Sequence, residues 1–107
     1  MSIGWAFLII AGLFEVGFTT AMTFAQRGAM WGWPLFLVCI SLSFWFLNLA
    51  TKTIPIGIGY AVWTGIGAAG TLFVSAALMK APITPAQIGF VALLIASVVG
   101  LKLTAKG

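Results

Sequence analysis

The 107-residue chain has one acidic residue, no histidine and one cysteine, and only 6% of it is charged. Each scarcity closes a class of function. With no His and a single acid, the chain lacks the cooperating groups that acid–base or nucleophilic catalysis uses, so the sequence argues against an enzyme. Cys39 has no intrachain partner for a disulfide and no His to complete a metal site. It reads as a small apolar filler, and no cofactor or metal is expected. The five basic residues, Arg27, Lys52, Lys80, Lys102 and Lys106, are scattered along the chain. Nucleic-acid binding uses a basic stripe, and none is present, so no nucleic-acid partner is expected. Gly65-Ile66-Gly67-Ala68-Ala69-Gly70 fits the dinucleotide-binding glycine pattern literally, but it lies in an apolar run with no acidic residue after it.

What the chain has in abundance is apolar length. It is 63% hydrophobic, whereas a soluble domain carries about 25% charged residues. Charges and Pro/Gly turns coincide, and they divide residues 1–107 into four spans of one transmembrane domain: about 3–24, 34–51, 57–79 and 85–103. Each is near the roughly 20 residues that a membrane helix needs. The expected class is an all-α membrane protein with four short transmembrane helices. The first span has no basic region before it and no convincing cleavage site after it, so it is expected to be retained rather than removed as a signal. Lys52, Lys102 and Lys106 fall on one side and Arg27 and Lys80 on the other. Three against two is a small excess for fixing orientation, so either a single topology or insertion both ways is allowed.

Glu15 is the sole acid and lies inside the first span. A charged side chain at bilayer depth costs about 2.5–3.5 kcal/mol on insertion scales. The simplest function for such a group is to trade a proton for a cation. Ala11, Glu15, Thr19 and Met22 share one helical face, and Gly12 flanks it. The second span offers Ser41, Ser43 and Asn48 among Phe44, Trp45 and Phe46, and the third offers Tyr60, Trp63 and Thr64. An aromatic at that depth can face a cation or hydrogen-bond a carboxylate. Trp5, Trp31 and Trp33 lie near span ends and read as belt residues at the membrane–water boundary. Four helices barely enclose a polar path, so a dimer is expected. Gly89, Ala92, Ala96 and Gly100 in the fourth span supply small-residue spacing for its contact.

These residues carry a resemblance. Ala11-Gly12-Leu13-Phe14-Glu15-Val16, Ser43-Phe44-Trp45, Ile54-Pro55-Ile56-Gly57 and Tyr60-Ala61-Val62-Trp63-Thr64-Gly65-Ile66-Gly67 are similar to motifs of the small multidrug resistance family of bacterial exporters. The resemblance spans nearly the whole chain. It implies an antiparallel dimer in the bacterial cytoplasmic membrane that exchanges protons for small organic cations. It places the essential carboxylate at Glu15, the substrate-lining residues at Ser43, Tyr60 and Trp63 with Thr19 at another lining position, and a helix kink at Gly65 and Gly67. Ala11, Gly12, Phe18 and Phe44 are further candidates for the pocket lining, read from their places beside these residues.

Ala50-Thr51-Lys52-Thr53, Trp63-Thr64-Gly65-Ile66-Gly67-Ala68 and Gly100-Leu101-Lys102 look like the guanidinium-exporting branch. Gly17-Phe18-Thr19-Thr20 is closer to the hydrophobic-cation branch. Phe18 stands where the guanidinium branch usually has Trp, Thr23 where both have Lys, and Ala81 replaces the usual acid. The resemblance therefore implies a guanidinium-type antiporter. Alternatives are a broad exporter of quaternary ammonium cations, one subunit of a heterodimeric exporter, a channel, or an accessory membrane subunit. The expected partner is a second subunit of this family, identical or paired.

Overall fold

The computed structural model describes residues 3–78 and 80–104; Met79, the expected end of the third span, and Lys106 lie outside them. Four helices follow in order: α1 (Ile3–Gln26), α2 (Gly32–Ala50), α3 (Ile56–Leu78) and α4 (Pro85–Thr104). All four are long and apolar enough to cross a membrane. Among the described residues there is no strand. An α-helix satisfies its backbone groups within one segment, which apolar surroundings demand. The expected four-helix, all-α class is what the chain adopts.

The turns show why the helices stop where they do. Gly28 takes φ 102°, which only glycine adopts without strain. The Ala29 N–H then reaches back to the Phe24 carbonyl at 3.0 Å and the Gly28 N–H to that of Ala25 at 3.1 Å, the paired bonds of a Schellman closure. α2 begins at Gly32 rather than at Pro34. Proline's missing N–H costs nothing in a first turn, where that donor has no intrahelical partner anyway. Pro55 precedes α3, and its carbonyl accepts from Gly59 at 2.9 Å. α4 opens with a capping box: Thr84 N–H donates to Gln87 Oε1 at 3.0 Å, and Gln87 N–H to Thr84 Oγ1 at 3.2 Å, with Pro85 at the first helical position.

α1 is the centre of the bundle, packing most extensively on α2 and next on α3, while α4 packs along α3 alone. The core joins Trp5, Leu8 and Ala11 of α1, Leu47 and Ala50 of α2, Ile54, and Val62 and Trp63 of α3. Close approach comes from glycines. Gly32 lies on the Ala21 carbonyl and the Ala25 backbone, and Gly12 lies under Ile66. Trp5 departs from the belt reading. It is 3% exposed, and Lys102 Nζ sits over its ring at 5.3 Å. α4 carries Lys102 across to α1, and a cation held over the ring covers it as the headgroup layer otherwise would. Trp31 and Trp33 stand exposed, as read.

Candidate functional site

α1 and α3 run in the same direction, and their seam is built in layers. Gly12 meets Ile66, Glu15 meets Gly67, Val16 meets Gly70, and Thr19 meets Thr71. Glu15 occupies space that a side chain at position 67 would take, because a Cβ there would fall on the carboxylate. The missing side chain is what lets an acid fit between two helices. Glu15 is partly buried, and its Oε1 is shielded with no hydrogen-bond partner among the described residues. Buried carboxylate oxygens nearly always accept hydrogen bonds, so this atom stands out among the described side chains.

Beside it a second polar element ties three helices together. The fully buried Ser43 hydroxyl of α2 donates to the Ala11 carbonyl of α1 at 2.8 Å. It accepts from Trp63 Nε1 of α3 at 2.9 Å. The Ser43 hydroxyl hydrogen and the Trp63 indole hydrogen are thereby both assigned. Within the single chain, then, Ser43 and Trp63 bond to each other, and Ser43 to the α1 backbone. A buried indole N–H must find an acceptor, and Ser43 is the one it finds. Their arrangement sets the orientation of an aromatic wall. The Trp63 ring lies 5.3 Å from Phe44 and 5.6 Å from Tyr60, centroid to centroid. Both outer rings are more than half exposed, at 51% and 56%, so the wall opens away from the chain's own core.

The remaining candidates distribute as follows. Ala11 and Gly12 are buried on the face that holds Ser43 and Ile66. Phe18 meets Phe36 edge-on at 5.8 Å. Thr19 bonds to Thr71 at 2.7 Å. Gly65 lies under Val98 and Leu94 of α4, and α3 is helical through both Gly65 and Gly67. Ser41 and Asn48 stay exposed, Ser41 donating to the Leu37 carbonyl of its own helix at 2.7 Å. Cys39 packs toward Gly17, in keeping with a filler. Thr71 was not anticipated. Its signal is its place four residues past Gly67, which puts it on the same face of α3. Gly89 and Gly100 of α4 have open space where a Cβ would point, and Ala92 and Ala96 are exposed.

The description "Small Multidrug Resistance protein" belongs to a family model that matches residues 3–94. The chain belongs to the small multidrug resistance family. Curated relatives match over most of the chain. A probable guanidinium efflux system subunit, GdnD of Bacillus licheniformis, is 41% identical over 92% of this chain and 96% of its own. The GdnC subunit of the same organism is 34% identical over 92% of this chain and 89% of its own. A guanidinium exporter of Salmonella typhimurium is 33% identical over 94% of this chain and 97% of its own. As a member of the small multidrug resistance family with four spanning helices, the chain is a multi-pass protein of the bacterial cytoplasmic membrane.

Proposed function

We propose that this chain is a proton-coupled antiporter that exports small organic cations of the guanidinium type, with protons and substrate competing for Glu15. The observation that carries the reading is the Glu15 Oε1, shielded between α1 and α3 with no hydrogen-bond partner among the described residues. A proton neutralises the carboxylate and a cation with N–H donors pairs with it, and the two exclude one another. A guanidinium offers a planar pair of N–H groups that matches a carboxylate. The relatives named as guanidinium transporters support the same substrate class. The Trp63 wall, held by Ser43, supplies a π face for the cation.

Competition becomes transport when the site opens to alternate sides. A proton arriving from one side displaces the cation, and a cation from the other displaces the proton. In a dimer two Glu15 carboxylates would share the site and titrate as a pair. The fold supports a dimer, because the small-residue face of α4 and the outer faces of Tyr60 and Phe44 are uncovered in one chain. An antiparallel arrangement suits the near-even distribution of Lys and Arg over the two ends. No residue set supports catalysis, so the chain acts as a transporter rather than an enzyme. Guanidinium uptake into liposomes under a proton gradient tests the reading. Glu15→Gln should abolish coupled transport, and coupled flux in that variant would overturn it.

A second reading concerns the partner. Two relatives in one organism are named as subunits of a guanidinium efflux system. The chain would then be one half of a heterodimer, its site completed by a similar but different chain. Purified chain alone in liposomes decides the point, since a homodimeric transporter works unaided.

A further inference from the structure

We propose that the Thr19–Thr71 hydroxyl pair, one helical turn beyond Glu15, forms a second, hydrogen-bond-accepting shelf of the cation site and selects cations that carry N–H donors over fully alkylated ones. The inference rests on Glu15 being the cation site. Thr19 follows Glu15 by four residues on α1, and Thr71 follows Gly67 by four on α3, so both helices take the same step along the seam. That step is about 6 Å, within the reach of a small planar cation and one water.

The hydrogens can be assigned. Thr19 Oγ1 donates to the Val16 carbonyl at 3.0 Å, so the 2.7 Å contact between the hydroxyls uses the Thr71 hydrogen. Thr71 Oγ1 is left with acceptor capacity and no donor, and Thr19 Oγ1 retains one lone pair. The pair is partly buried and points no hydrogen outward. It is an acceptor surface near a carboxylate, and it is complemented by a ligand that carries hydrogen-bond donors, which a cation with N–H groups does. A carboxylate engages two N–H groups of a guanidinium and leaves the others directed elsewhere. The hydroxyl shelf takes one of them. A tetraalkylammonium has no N–H and gains nothing. Sites that hydrogen-bond a substrate donor discriminate strongly against analogues lacking it.

Thr71→Val removes the hydroxyl at nearly constant shape, and Thr71→Ser restores it. Full-length protein, with any partner subunit it requires, is reconstituted in liposomes. The readouts are KM for guanidinium, the inhibition constant of tetramethylammonium, and the pH profile of transport. Thr71→Val is expected to raise guanidinium KM about tenfold, the worth of one hydrogen bond to a charged group. The tetramethylammonium constant and the pH profile stay as in the parent, and Thr71→Ser recovers the guanidinium KM. An unchanged KM overturns the proposal, and so does an equal loss for both cations, which marks the pair as packing only. Glu15→Gln in the same assay separates the two readings. If it keeps coupled transport, the cation-site reading itself fails. If it is inactive while Thr71→Val transports guanidinium normally, only the hydroxyl shelf fails.

Discussion

The seam between α1 and α3 and the surface of α4 are built from the same small residues and use them in opposite ways. In the seam, Gly12, Gly67 and Gly70 are filled by Ile66, Glu15 and Val16 of the opposing or neighbouring helix. On α4, Gly89 and Gly100 face nothing, and the helix has no buried residue. Small residues at regular spacing mark where a backbone can approach, but not whether the approaching partner lies in the same chain. The seam is complete within one copy and holds the acid. The α4 face has no partner among the described residues, which is why the proposed dimer is placed there.

The largest effect that separates the two regions is Gly67→Ala. The new methyl occupies the position of the Glu15 carboxylate, which can swing aside because it ends a flexible side chain. Folding is therefore kept while the acid is displaced, and transport should fall about 100-fold, the scale of a misplaced reacting group. Transport and thermal unfolding measured on the same preparation check the split; loss of both would mean that the seam is structural only. Gly32→Ala is next. There the obstruction is backbone of α1, which cannot swing away, so stability should drop by about 1–3 kcal/mol. Gly100→Leu sits on the other side of the comparison. The chain should fold normally and lose its partner, with the apparent dimer dissociation constant raised about tenfold in detergent. An unchanged dimer constant would move the interface off that face. The smallest effect is Lys102→Met, which removes the cation above Trp5 and should lower stability by about 0.5–1 kcal/mol.

The four spans were legible because apolar length, charges and Pro/Gly turns all coincide in this sequence. Glu15 was legible because a lone acid in such a run has no ordinary explanation. Ser43 and Trp63 were legible as candidates, but their mutual bond was not. Which donor meets which acceptor depends on the depth at which α2 and α3 cross α1, and that is set by packing rather than spacing. Trp5 was misread for a related reason. Its position near a helix end resembles a belt, while its cover, Lys102, comes from the far end of the sequence. Thr71 went unnoticed because its meaning appears only when Thr19 is placed opposite it.

A saturation mutagenesis map of this chain would contain a trap. Every codon change away from glycine at position 67 adds at least a methyl, so no missense variant leaves the Glu15 pocket as it is. Selection for export would score Gly67 and Glu15 as equally intolerant. One owes that score to its chemistry and the other to an emptiness that its neighbour fills, and only an assay that counts folded protein separately from transported cation would tell them apart.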